Sequence, residues 1–155
     1  MEISKTEIGR VAIIGASGYG GLQLVKLISE HPCFELASLN GKRSVGKSWN
    51  ELNPYLKHLA DIKITKSNVD EIVQDSDYAI LSLPNGLSSQ LTPLILEKGI
   101  KVLELSADYR FKSLDKWKKV YSKEAAKYQR YDYELCEAAI YGFSEEFSNE
   151  ISKSR

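Results

Sequence analysis

The stretch Val11-Ala-Ile-Ile-Gly15-Ala-Ser-Gly18-Tyr-Gly-Gly21 limits this chain more than any other. Four apolar residues run into glycines at 15, 18 and 21, and Leu22, Val25 and Ile28 then recur at helical spacing, with Leu24 and Leu27 widening the apolar face. A buried strand, a tight turn and a helix N-terminus in that order make a phosphate-binding βα turn. Glycine is needed there for backbone with positive φ, and wherever a Cβ would block a pyrophosphate. The helix then aims unpaired N–H groups at the phosphates. Gly15, Ala16, Ser17, Gly18, Tyr19, Gly20 and Gly21 are therefore candidate cofactor-binding residues.

The rest of the chain alternates in the same way. Apolar runs predict strands over 10–14, 34–39, 61–65, 77–83 and 101–105, and a short one over 138–142. Helical patterns cover 20–30, a brief helix to 74 capped by Ser67 or Asn68, and 87–98 with Pro93 inside. Two short helices are expected within 113–133 and a partial helix in the tail after 144. This order gives a Rossmann-like α/β fold, a doubly wound, mostly parallel sheet. Residues 1–155 read as a single dinucleotide-binding domain with no internal repeat or linker.

In such folds the second strand usually ends in an acid that holds a ribose 2′-hydroxyl. Here it ends Leu39-Asn40-Gly41, followed by Lys42, Arg43 and Ser44. A missing acid and added bases suit a 2′-phosphate and favour NADP over NAD, against the plainer reading of a solvated basic loop. Gly41–Ser48 also fits the triphosphate-binding pattern G-x-x-x-x-G-K-[ST], but Pro54 follows too soon for the long helix that motif requires. Leu83, Pro84 and Asn85 form a loop at the carboxyl edge of the sheet, where ligands bind in open α/β folds. Ser106 and Arg110 follow the fifth strand and are candidates for a phosphate or carboxylate; the alternative is a strand exit with Asp108 pairing Arg110. His31 reads as a cation near a helix end, Cys33 as a small buried residue, and Trp49, Tyr55 and His58 as loop packing.

Net charge is zero, with 21 basic and 21 acidic residues, so no electrostatic case exists for nucleic acid or an anionic membrane. No apolar run approaches the roughly 18 residues of a bilayer span. The polar N-terminus lacks the apolar core of a signal peptide, and a cytoplasmic or plastid-stroma-like compartment fits. Cys33 and Cys136 make neither a disulfide framework nor a metal site.

Five segments come in a familiar order: Gly15–Gly21, Arg43-Ser-Val-Gly46-Lys47, Leu83-Pro-Asn-Gly86, Leu105-Ser-Ala-Asp-Tyr-Arg110 and Ile140-Tyr-Gly142. Together they resemble the N-acetyl-gamma-glutamyl-phosphate reductases, of the semialdehyde dehydrogenase superfamily, over residues 9–151. The resemblance implies NADP-dependent reductive dephosphorylation of N-acetylglutamyl 5-phosphate to the 5-semialdehyde in arginine biosynthesis. It implies a small-molecule acyl-phosphate substrate and a homo-oligomer for the full-length enzyme. It assigns Gly15–Gly21 to the pyrophosphate, Arg43 and Ser44 to the 2′-phosphate loop, and Ser106 and Arg110 to the substrate phosphate. In that family a cysteine thiolate displaces phosphate to give a thioester, which hydride then reduces; a thiolate is nucleophilic near neutral pH and leaves well. The segment bearing that cysteine would follow the stretch matching Glu150–Arg155, so the expectation is a cofactor-binding half, with no catalytic residue of its own and inactive alone. Its sheet is expected to be incomplete at the C-terminal end, with an unpaired edge, exposed apolar surface and self-association. Tyr141-Gly-Phe-Ser144 departs from the family's Tyr-Gly-Leu-Pro. Related aspartate-semialdehyde dehydrogenases, a lysine-pathway reductase and a non-catalytic NADP-binding domain remain alternatives.

Overall fold

The computed structural model describes residues 8–56, 61–66 and 68–154. Its strands are β1 (Gly9–Ile14), β2 (Phe34–Asn40), β3 (Ile64–Thr65), β4 (Tyr78–Leu81) and β5 (Lys101–Glu104). They form one parallel sheet in the order β3-β2-β1-β4-β5. The helices are α1 (Tyr19–Ser29), α2 (Trp49–Leu52), α3 (Val69–Gln74), α4 (Ser88–Glu97), α5 (Leu114–Val120), α6 (Ser122–Lys127), α7 (Tyr133–Ala138) and α8 (Ser144–Ile151), with a single 3₁₀ turn at Pro54–Leu56. No helix among the described residues is long and apolar enough to cross a membrane.

Alternation along β1 splits the core in two. Val11 and Ile13 face α1 and pack with Val25, Ile28, Leu39 and Trp49. Ala12 and Ile14 face the other side, with Ile72 of α3 and Ile95 of α4. A central parallel strand buried on both faces requires this continuous apolar run. The register of β1 against β2 shifts between Val11 and Ala12, whose partners are Leu36 and Ser38. Strict alternation would put Leu36 and Leu39 on opposite faces; the extra residue lets both pack on the α1 side. Beyond it, Ser38 and Asn40 share the other face, the Asn40 Nδ2 donating to Ser38 Oγ at 3.0 Å.

Three expectations change. The strand expected over 61–65 shrinks to two residues. The backbone before it bonds the 46–49 segment instead, with Trp49 N–H donating to the Ile62 carbonyl and Ile64 N–H to that of Lys47. The strand expected over 138–142 does not form: α7 runs to Ala138 and irregular chain follows. Lys112 Nζ there donates to the carbonyls of Glu137 and Ala139, which removes acceptors a sheet ladder would use. Tyr55 is 96% exposed rather than packed, while Trp49 is fully buried; His58 lies outside the described residues. Asn68, not Ser67, caps α3, its Oδ1 accepting the Asp70 N–H. Pro93 sits inside α4 without ending it.

Candidate functional site

Every loop that sequence reasoning singled out leaves the carboxyl end of a strand, and the parallel sheet gathers those ends along one edge. The β1–α1 turn is anchored from below, where the N–H groups of Gly15 and Ala16 both donate to the Asn40 carbonyl, at 2.8 and 3.0 Å. Its glycines have separate jobs. Gly15 has φ +93°, and a Cβ there would lie 2.2 Å from the Ser82 carbonyl oxygen. A Cβ on Gly21 would lie 2.3 Å from the Gly15 carbonyl oxygen, so α1 can approach the turn only with glycine. A Cβ on Gly18 would sit in ordinary van der Waals contact, 3.5 Å from the Gly15 carbonyl oxygen, without a clash. Protein packing demands glycine at 15 and 21; at 18 only a ligand would.

The start of α1 is bare. Gly18 is its N-cap without a side-chain cap, and no acid lies in the first turn. Among the described residues no acceptor takes the N–H groups of Tyr19, Gly20 or Gly21. Tyr19 is 97% exposed beside them. Unpaired donors and the positive end of the macrodipole suit this helix end to an anion.

The α4 N-terminus is the opposite case. Asp108, fully buried, accepts the Gly86 N–H at 2.7 Å and the Ser89 N–H at 3.0 Å. The protein's own carboxylate fills that position. The Asp108–Arg110 pair that spacing offered as an alternative to a phosphate site does not form; Arg110 is exposed and its Nη1 donates to the Tyr121 hydroxyl. Ser106 Oγ accepts the Asp108 N–H at 3.1 Å, and Asn85 Oδ1 accepts the Ala107 N–H at 3.0 Å. Leu83 packs partly into the core beneath this loop. Glu104, at the end of β5, has its carboxyl pushed above the usual range by burial.

At the end of β2, Asn40 is only 1% exposed. Its Oδ1 accepts from Thr65 Oγ1 at 3.0 Å while its amide engages Ser38. The side chain at the usual position of the ribose-binding acid is therefore turned inward. Lys42 and Arg43 follow on an exposed loop, with Ser44 half-buried. Among the described residues neither base forms an ion pair. This loop touches the glycine turn, since a Cβ on Gly41 would lie 3.4 Å from Ser17 Oγ. The triphosphate motif fails on structure. Ser48 caps α2, which is only four residues long, with Glu51 completing the capping box, and its hydroxyl donates to Asp61.

Neither cysteine belongs to this edge. Cys33 lies at the amino end of β2, where its carbonyl accepts the Gly9 N–H. Cys136 is buried, and burial pushes its thiol up despite Arg130 beside it. His31 Nδ1 accepts the Cys33 N–H in the turn after α1, also at the far end of the sheet.

Sequence reasoning missed Asp108 as a cap and Arg130 altogether. Arg130 holds Asp132 through Nε and Nη2, at 3.0 and 2.7 Å. It stacks under Trp117, 4.4 Å from the ring centroid. An arginine in a polar Tyr-Gln-Arg-Tyr-Asp run carries no local sign of burial.

This fold and edge define a Rossmann-type dinucleotide-binding domain. Residues 10–154 match the family described as semialdehyde dehydrogenase, NAD binding domain, and the chain belongs to it. Over its whole length it is 79% identical to an N-acetyl-gamma-glutamyl-phosphate reductase of Prochlorococcus marinus strain NATL2A, and 48% identical to that of strain MIT 9211. It spans 43% of the length of each. Among solved structures, aspartate semialdehyde dehydrogenase of Candida albicans with NADP matches at TM-score 0.59 and 22% identity, over 67% of this chain and 31% of that one. A Rex-family repressor, RSP, in complex with beta-NADH matches at TM-score 0.51 and 22% identity, over 64% and 46%. Both likenesses are of fold.

Proposed function

We propose that this chain is the NADP-binding part of an N-acetyl-gamma-glutamyl-phosphate reductase acting on an acyl phosphate in the cytoplasm, as part of a homo-oligomer. The observation that carries the reading is the bare α1 N-terminus behind a glycine, Gly18, where the protein itself leaves room for a Cβ. The 79% identity to reductases supports the reaction. When bound, NADPH supplies the hydride. The chain's residues bind and orient it. The N–H groups at Tyr19–Gly21 would hold the pyrophosphate, and Ser17 and the Lys42–Ser44 loop would hold the ribose end. Leu83, Pro84 and Asn85 form the wall across from the turn. The inward-turned Asn40 offers no carboxylate to a 2′-hydroxyl, whereas Arg43 offers a planar fork to a 2′-phosphate. Ser106 and Arg110 stand at the same edge for the phosphate of the substrate, Ser106 by its hydroxyl and Arg110 by its exposed guanidinium.

Both described cysteines are badly placed for attack: one is at the wrong end of the sheet, the other buried with a raised pKa. The chain alone is therefore expected to bind cofactor without turning over substrate. The test is titration with NADPH and NADH, wild type against Arg43→Ala. Wild type should bind NADPH more tightly, and Arg43→Ala should remove most of that margin while leaving NADH binding within about threefold. Equal losses for both cofactors would remove the 2′-phosphate role.

A further inference from the structure

Two loops flank the β4–β5 side of the proposed dinucleotide site, residues 82–87 after β4 and 105–113 after β5. One backbone hydrogen bond leads into the second, from the Leu105 N–H to the Leu81 carbonyl at 3.0 Å. Beyond it, the loops meet through Asp108. Its carboxylate takes the Gly86 and Ser89 N–H groups from the first loop and α4. Its own N–H is held by Ser106 Oγ, and its carbonyl accepts Arg130 Nη1 at 2.7 Å. Asn85 Oδ1 returns the connection by accepting the Ala107 N–H. Arg130 is fixed from behind by its two bonds to Asp132 and by the ring of Trp117. The Tyr128 ring lies against Gly86, where a Cβ would come within 2.2 Å of it.

We infer that Asp108 and Arg130 are positioning residues of the cofactor site: the buried carboxylate staples the 84–86 loop to the 106–108 loop, and the guanidinium locks Asp108 in place. The inference rests on the proposed dinucleotide reading for its ligand arm only. Bonds from N–H groups to a buried carboxylate are charge-assisted and strong, so this staple sets where the wall opposite α1 stands. The same carboxylate closes the α4 N-terminus, whereas the N-terminus of α1 has no side-chain cap.

The test is amide hydrogen exchange on the 155-residue chain, wild type, Asp108→Asn and Arg130→Lys, alongside NADPH titration. Asp108→Asn should speed exchange at Gly86 and Ser89 by at least about tenfold while β1 and α1 amides keep their rates. NADPH affinity should fall by about fivefold or more in the same variant. Arg130→Lys keeps a cation beside Asp132 but lacks the fork that reaches both partners, so it should speed the same two amides, by less. If Asp108→Asn does not fold, Arg130→Lys carries both readouts. Unchanged exchange at Gly86 and Ser89 would overturn the staple. Faster exchange with wild-type NADPH affinity would overturn its link to the site. A wild-type chain that binds no NADPH would instead sink the dinucleotide reading, and the exchange rates would still decide the staple.

Discussion

Gly15 and Gly18 look alike in the sequence and differ in what surrounds them. Alanine at 15 combines φ +93° with a Cβ 2.2 Å from a backbone oxygen, so both strain and clash oppose it. We expect Gly15→Ala to lose about 2–4 kcal/mol in urea unfolding. Gly18 has φ −88°, and a Cβ there would lie an unstrained 3.5 Å from the Gly15 carbonyl oxygen. Gly18→Ala should cost less than about 1 kcal/mol of stability, yet weaken NADPH by about tenfold or more, because the methyl occupies the pyrophosphate's approach. A Gly18→Ala chain of normal stability and normal NADPH affinity would remove the pyrophosphate from this turn.

The helices that follow β1, β4 and β2 differ in what stands at the N-terminus: among the described residues no side-chain cap at α1, Asp108 at α4, Ser48 with Glu51 at α2. Because Ser48 is spent on a four-residue helix, Lys47→Ala should leave NADPH binding intact, and neither chain should bind ATP with magnesium by calorimetry. The turn leading into α7 carries the buried ion pair. Burial alone would raise the Asp132 carboxyl, but the Arg130 guanidinium outweighs it and holds the group below its ordinary 3.8. A folded value below the unfolded one means that the pair's contribution is present above pH 3.8 and is lost as pH falls through the folded value. Urea midpoints should drop as pH falls below 3.8 partly for this reason. Asp132→Asn should cost about 3–5 kcal/mol at pH 7, since it strands a buried guanidinium, and should flatten that part of the acid dependence. An unaltered acid slope in this variant would count against the pair as its source.

At the scale of the whole molecule, the α1 side of the sheet is covered over β2 and β1 but open over β5. Leu103 is 49% exposed and Leu105 54%. A groove of about 280 Å³ runs there past Phe34, Tyr78 and Ile80, touched by Ile151 and Ser152 from the end of α8. β5 is also an edge strand, with β4 as its one described neighbour. An edge beside exposed leucines favours pairing with another chain. Light scattering should show mass rising with concentration, and Leu103→Glu with Leu105→Glu should suppress it. A sharp monomer at all concentrations would contradict this.

Much of this architecture is legible in the residues. β1, α1 and β2 follow from period and punctuation, because a strand buried on both faces needs an unbroken apolar run and a helix with one buried face needs the 3.6 repeat. The helix pair after Ser113 and the tail helix are readable for the same reason. The failures share a cause. Residues 138–142 have the composition of a strand, but a strand needs a neighbour, and Lys112 holds the nearby carbonyls instead. Spacing offered Asp108 only a neighbouring partner, Arg110, as one alternative, while the fold gives it the Gly86 and Ser89 N–H groups, 22 and 19 positions away. The sequence by itself determined the alternating fold, the glycine turn and the absence of an acid after β2, all local matters of side-chain size, periodicity and charge. Only the tertiary structure decided which helix end stays open to an anion, since that depends on a buried carboxylate arriving from a different loop.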